Sequence, residues 1–339
     1  MEVFVKSFAT YRTIKKATSI SSSIVLDSLN METSTVTVKG TSINRSDTGN
    51  WIIIDGSVYL ISNVKPENGC TVLTLTSPLD AFSRLLEFSA QIAGQTIGGF
   101  VAQQMQNCWA AEDDPLYAMP YLSVSNSDTT AFVWPDLDSG GCFKLSDYCR
   151  LMRKSYRVVV RFYDGSRTLQ CKITKDPVKS KQIPFDDGHS NLQSVDYSAS
   201  GIAKLTVIHD IETGEKDADG NKIYTRERTI WYLSETGEVS QLIPARRAAG
   251  EWGTLYIKGD KDVEGKVIET FAKNKTNHKL EFWSDRDIDV HTDCTFVVNG
   301  ELLRSHISYK RKNSENKRFY YKSGELATTA TEKLRGAMK

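Results

Sequence analysis

The sequence has no surplus of charge of either sign: 43 Lys and Arg stand against 42 Asp and Glu in 339 residues, a net charge of +1. Neutralising a phosphate backbone takes a basic excess, so this balance argues against a dedicated nucleic-acid binder. The opening segment MEVFVKSF has no apolar core, which speaks against a secretory signal. Cysteine is present but unpatterned. Cys70, Cys108, Cys142, Cys149, Cys171 and Cys294 show no C-x-x-C pair and no regular spacing. They are expected to be reduced thiols of a protein made in a cytosol, and neither a disulfide framework nor a zinc site. Also missing are G-x-S-x-G, H-E-x-x-H, a Walker loop and G-x-G-x-x-G. None of His189, His209, His278, His291 and His306 sits in a nucleophile or metal motif. The expectation is therefore a non-enzymatic chain with no catalytic, cofactor-binding or metal-binding residues.

Residues 88–111 carry no charge at all, a length that could span a bilayer. The stretch nevertheless holds Gln91, Gln95, Gln103, Gln104, Gln106 and Asn107, and that many amides are costly in hydrocarbon. Thr96 can cap a helix in which Ile97, Val101, Met105 and Cys108 form one stripe, so a packed or partner-facing helix is expected and no membrane contact.

Three polar stretches invite a site and have plainer readings beside them. PFDDGH offers Asp186, Asp187 and His189 as ligands, but Asp-Asp-Gly is ordinary turn chemistry. DADGN resembles the start of a calcium loop, which needs Gly at its sixth position and Glu at its twelfth. Counting from Asp217, Gly220 is fourth and Arg228 is twelfth, so a hairpin tip fits better. In SDRDIDVHTD, strand spacing would put Asp285, Asp287, Asp289, His291 and Asp293 on one face, with Arg286, Ile288 and Val290 opposite. A solvated face is the plain reading. A row of like charges repels itself, however, so a face that acidic hints at use. The basic run at 310–318, KRKNSENKR, reads as an exposed turn.

What the chain does have is strands. In WIIIDGSVYLI, residues 51–61, an Asp-Gly pair sits between two apolar runs, a strong signal for a two-residue type I′ hairpin. Register from that turn pairs Ile54 with Ser57, Ile53 with Val58, Ile52 with Tyr59 and Trp51 with Leu60. One face then carries Trp51, Ile53, Val58 and Leu60, and the other Ile52, Ile54 and Tyr59. A free-standing hairpin is apolar on one face only; this one is apolar on both, and something must cover the second. Further on, Ser77-Pro78 reads as a helix start, with Leu79, Phe82, Leu85 and Leu86 on one side. Leu145, Tyr148, Cys149, Met152 and Tyr156 make a second helical stripe, followed by a strand at 158–162.

The last strand block resembles the first. With Gly300 placed on Gly56, TFVVNGELL of CTFVVNGELL lies on WIIIDGSVY, and a polar turn and a further strand follow in each. The expected fold is mainly β with α+β insertions, containing two β-barrel-like domains related by an internal quasi-repeat. Four segments are expected: a first β-barrel-like domain at 1–85, an α+β domain at 86–185, a β-rich domain at 186–262, and a second β-barrel-like domain with a tail at 263–339.

The order of features resembles the baseplate-hub, or tail-hub, proteins of tailed bacteriophages and related contractile injection systems. It runs from WIIIDGSVYLISNV and CTVLTLTSPLDAFSRLL through KLSDYCRLMRKSYRVVVRF, NLQSVDYSASGIAKLTV and DADGNKIY to VVNGELL. That resemblance implies a homotrimeric ring with two barrel-like domains per chain, joining the hexameric tail tube to a trimeric spike or tip. It also implies tube and distal tail proteins as partners, passage of DNA or a tape-measure protein through the lumen, and a place in the virion tail after assembly in the bacterial cytoplasm. The second apolar hairpin face would then meet another barrel or subunit. Many such hubs carry a C-terminal lytic or fibre-like extension; from ELATTATEKLRGAMK no appended lytic domain is expected, and a separate spike or tip protein would be needed. Two other readings remain open: a carbohydrate-binding β protein using Trp109, Trp134, Trp231, Trp252 and Trp283, and a tail-associated cell-wall hydrolase.

Overall fold

The structure is a computed structural model; it describes residues 2–30, 32–88, 95–135, 137–138, 140–185, 187–198, 201–234, 239–245, 250–259, 262–273 and 277–324. The first six strands are β1 (Glu2–Lys6), β2 (Thr13–Ser28), β3 (Ser34–Lys39), β4 (Trp51–Ile54), β5 (Ser57–Glu67) and β6 (Cys70–Thr76). Each pairs antiparallel with two neighbours in the order β1-β2-β3-β6-β5-β4, and β4 returns to β1. The sheet is thus closed on itself and has no free edge. Its interior is filled by side chains alternating along every strand, among them Val36, Val38, Ile52, Ile54, Leu73 and Leu75.

The next segment contains β7 (Leu85–Glu87), α1 (Ile97–Met105), β8 (Leu122–Asn126), β9 (Cys142–Lys144), α2 (Leu145–Tyr156), β10 (Val158–Asp164) and β11 (Leu169–Lys175). Thr96 caps α1 by accepting from the Gly99 amide, and Ile97, Val101 and Met105 are buried. The stripe expected on α2 is buried too, apart from the half-buried Tyr156. Among the described residues no helix is long and apolar enough to cross a membrane. Ser77 does cap, accepting from the Leu79 amide, but only a 3-10 turn follows, Pro78–Phe82. Instead of continuing that helix, Leu85 and Leu86 enter β7, which pairs with β9. Ladder hydrogen bonds and burial of Leu86 against the core outweigh the local cap, and Leu85 is left exposed.

A second strand block begins with β12 (Lys179–Pro184) and β13 (Ser190–Ser198). The chain then runs through β14 (Ile202–Lys216), β15 (Lys222–Leu233), β16 (Val239–Ser240), β17 (Glu251–Lys258) and α3 (Val263–Lys273). It ends in β18 (Asn277–Ser284), β19 (Thr292–Val298), β20 (Glu301–Asn313) and β21 (Phe319–Ser323). By compactness the chain forms two units: unit 1 holds Met1–Ser194 and Leu280–Lys339, and unit 2 holds Val195–Lys279.

Within the second block the strand order is β13-β18-β21-β20-β19-β12. The first block, read from the same point, is β2-β3-β6-β5-β4-β1. Strand for strand these are one topology, with the segment carrying unit 2 placed where the first block has its β2–β3 connection. The blocks differ at the closing seam. β1 runs antiparallel to β4, whereas β12 runs parallel to β19. Among the described residues β12 and β13 do not pair, so the second block is a barrel left open. Its interior is aromatic: Phe282 lies 5.5 Å from Phe296 and 5.2 Å from Tyr321 between ring centroids. The two blocks join directly, the C-terminal half of β2 pairing with β20 from Ser23↔Asn313 to Ser28↔Tyr309.

Candidate functional site

The hairpin of β4 and β5 has the register expected from its turn, Trp51↔Leu60 through Ile54↔Ser57. Asp55 at φ 49° and Gly56 at φ 77° both take the left-handed backbone that a type I′ turn demands. Ile52, Ile54 and Tyr59 face the barrel interior. Trp51, Ile53 and Val58 belong to a second core, made with α1, α2 and β11. Trp51 is fully buried, stacks on Phe8 at 5.6 Å between centroids, and donates from Nε1 to Tyr121 Oη at 2.9 Å. The second apolar face is therefore covered by the chain's own α+β segment, and no second subunit is needed for it.

The matching hairpin of β19 and β20 turns through Asn299 at φ 51° and Gly300 at φ 81°. Its pairs Thr295↔Arg304 through Val298↔Glu301 repeat the register of the first. Phe296 points inward as Ile52 does, being 0% exposed. The outward side differs. At the position of Val58, which is 4% exposed, stands Leu302, 66% exposed.

Between β18 and β19 lies the acidic segment, and it is not a strand. Residues 285–291 form a bend and turn, pinned where Tyr321 Oη accepts from the Ile288 amide and donates to the Arg286 carbonyl. The alternation inferred from spacing still holds for Asp285, Asp287 and Asp289 outside and Ile288 and Val290 inside. It fails at His291, whose φ of 72° turns the side chain inward to 3% exposure. Nor is the row an uncompensated negative face. Asp285 pairs with His189 at 2.8 Å, Asp287 with Lys310, Asp289 with Lys179, and Asp293 with Arg157 at 3.4 Å and His306 at 2.7 Å. Lys310, Lys179 and Arg157 offset the mutual repulsion, and hydrogen bonds from His189 and Lys179 hold the Asp285 and Asp289 carboxyls below the usual range.

Spacing alone did not reveal the histidine chain at this joint. Asp293 accepts from His306 Nδ1 at 2.7 Å, which leaves His306 Nε2 to accept from His291 Nδ1 at 3.0 Å. His291 Nε2 is buried without a partner. Burial, with the cations Arg153 and Arg157 nearby and His306 beside it, pushes His291 down to about 3. Burial also lowers His306, against the pull of Asp293. The His291 ring is neutral at ordinary pH. Arg157, the left-handed C-cap of α2, donates to the His291 carbonyl at 3.0 Å and so ties the α+β segment to the second block. One signal could have found the cluster: extending the Asn299-Gly300 register down the hairpin places Asp293 opposite His306.

Asp187 pairs with Arg286 and accepts from the His189 amide, while Asp186 lies outside the described residues. Among the described residues no group of three or more His, Cys, Asp and Glu is arranged to hold a metal. Asp217 accepts from the Asp219 and Asn221 amides at the tip of the β14–β15 hairpin, as a turn residue does. His209 lies on β14, and the side chain of His278 is not described. The cysteines are free thiols, and burial pushes Cys171 and Cys294 up to about 12. Of the tryptophans, Trp109 and Trp231 are buried, Trp283 packs on Tyr320, and Trp134 and Trp252 reach the surface.

No protein-family model matches the chain, and no curated protein matches it. Solved structures do. A prophage tail protein from Listeria monocytogenes EGD-e is similar over 100% of this chain and 98% of its own, at TM-score 0.51 and 11% identity. A chain of the phage P2 baseplate in its activated conformation is similar over 96% of this chain and 99% of its own, at TM-score 0.52 and 11% identity. From end to end, this chain has the fold of phage tail and baseplate proteins.

Proposed function

We propose that the protein is the structural hub of a phage-type tail. Three copies close a ring that adapts a hexameric tail tube to a trimeric spike or tip. The observation that carries this reading is the repeated strand order: one chain presents two blocks of the same topology, so three chains present six. A sixfold surface can meet a threefold one through such a ring, and closed cyclic assembly is the usual outcome for protomers with complementary edges. Tail-tube and distal tail proteins are its neighbours, and DNA or a tape-measure protein passes through the lumen. The role is mechanical rather than enzymatic, and its place is the tail tip of the virion, reached after assembly in the host cytoplasm. The test is stoichiometry. Mixed with its tube protein and measured by light scattering, the chain should give three copies for each six of the tube; a complex of one or six copies would overturn the reading.

A further inference from the structure

Unit 2 is a four-stranded sheet, ordered β16-β15-β14-β17, with α3 on one face. Leu205 and Val207 of β14, Trp231 of β15 and Ile257 of β17 pack with Val267 and Phe271 of α3. Strand residues alternate between faces, so their neighbours make up the opposite face. Register arranges these in rows across the sheet: Trp252, Lys204 and Tyr232; then Thr254, Thr206 and Ile230; then Tyr256, Ile208 and Arg228; then Lys258, Asp210 and Arg226.

This face is neither a solvated polar surface nor a simple apolar one. Trp252 is 60% and Tyr256 72% exposed, a large aromatic area to leave in water. Trp252 is fixed: its Nε1 donates to Thr206 Oγ1 at 2.7 Å, and the Lys204 ammonium sits 3.6 Å from its ring centroid. An aromatic plane held before any ligand arrives loses little entropy on binding. Tyr256 is four residues along the same strand, about 13 Å away. The rows hold four cations and a single carboxylate, Asp210, which is taken by Arg226 at 2.7 Å. Arg228 and Lys258 are exposed, Arg228 in the row of Tyr256 across Ile208 and Lys258 two residues along the strand from Tyr256, with its ammonium 4.6 Å from the Tyr224 ring centroid.

We propose that this face binds an acidic polysaccharide, whose sugar rings lie on Trp252 and Tyr256 while its carboxylate or phosphate groups meet Arg228 and Lys258. The complementarity is twofold. The C–H face of a pyranose is apolar and suits an indole plane, and a planar guanidinium takes an anionic oxygen pair through two parallel hydrogen bonds. A single-stranded nucleic acid fits less well, since tracking its backbone takes a continuous basic groove. Here one of four cations is already neutralised, and the chain as a whole carries only +1. The inference rests on unit 2 alone and not on the hub reading.

The experiment titrates the full-length protein with an oligogalacturonate, a phosphate-linked hexose oligomer, a neutral maltooligosaccharide and an oligothymidylate, following tryptophan fluorescence and heat. At least one of the two acidic oligosaccharides should bind, at least tenfold tighter than the neutral one or the oligothymidylate. Trp252→Ala and Arg228→Gln should each weaken that binding at least tenfold. Tyr256→Ala, at a side chain already mostly in water, gives the same reading should the Trp252 variant fold poorly. Absence of binding by both acidic oligosaccharides, equal or tighter binding of oligothymidylate, or unchanged affinity in Arg228→Gln and Tyr256→Ala would overturn the proposal. A ring stoichiometry other than three would count against the hub and leave this site untouched.

Discussion

Trp51 and Leu302 sit on the outward sides of two hairpins with the same turn and register, yet one is sealed in a core and the other is two-thirds in water. Trp51→Ala in the isolated chain should cost about 3–5 kcal/mol, the range for emptying a packed aromatic site. Leu302→Ala should change stability by no more than about 0.5 kcal/mol. Urea unfolding of the two variants measures the contrast directly. The histidine pair makes a second prediction at this scale. Because burial holds His291 at about 3, the unfolded chain takes up a proton near its ordinary value of 6.5 that the native chain refuses. Stability is therefore complete above pH 6.5 and falls as the pH drops toward 3, by up to about 1.4 kcal/mol per pH unit for each such proton. His291→Asn keeps a residue that accepts the left-handed backbone and does not titrate, and it should flatten that slope. An unchanged slope in the variant would assign the acid sensitivity elsewhere.

Among the elements, hairpins were the most legible in the sequence, because a type I′ turn fixes register and register fixes every face. Asp55-Gly56 gave all four pairs of β4 with β5, and Asn299-Gly300 carried the correspondence between blocks. Helices with a cap and a stripe were legible for the same reason. The Ser77-Pro78 segment was not, since a local cap can be outvoted by a strand partner, β9, nearly sixty residues away. The 285–291 segment misled more subtly: a bend that packs against Tyr321 reproduces strand-like alternation until the left-handed His291 breaks it. At both glycines of the turns a Cβ would meet nothing within 4 Å, so only the backbone resists substitution. Gly56→Ala and Gly300→Ala should each destabilise by about 1–2 kcal/mol, the ordinary cost of the left-handed conformation for a residue with a side chain. Shifts of the urea midpoint far apart for the two variants would show that the hairpins are not equivalent.

At the scale of the whole molecule, the repeat was visible only in part. Residues 292–323 announced themselves by matching 51–76, but β12 and β13, which stand in the roles of β1 and β2, precede the segment that carries unit 2 and share no turn signal with the strands they join. Long-range pairing of this kind leaves no trace in local periodicity. On the proposed hub reading, two like blocks in one chain would let three chains mimic six positions, and a reconstruction of the assembled tail tip tests that reading. The ring should hold three copies of this chain, with the two strand blocks of each related by a rotation of about 60° around the tail axis, as six positions on a circle require. Six copies, or blocks lying at unrelated radii and angles, would contradict it.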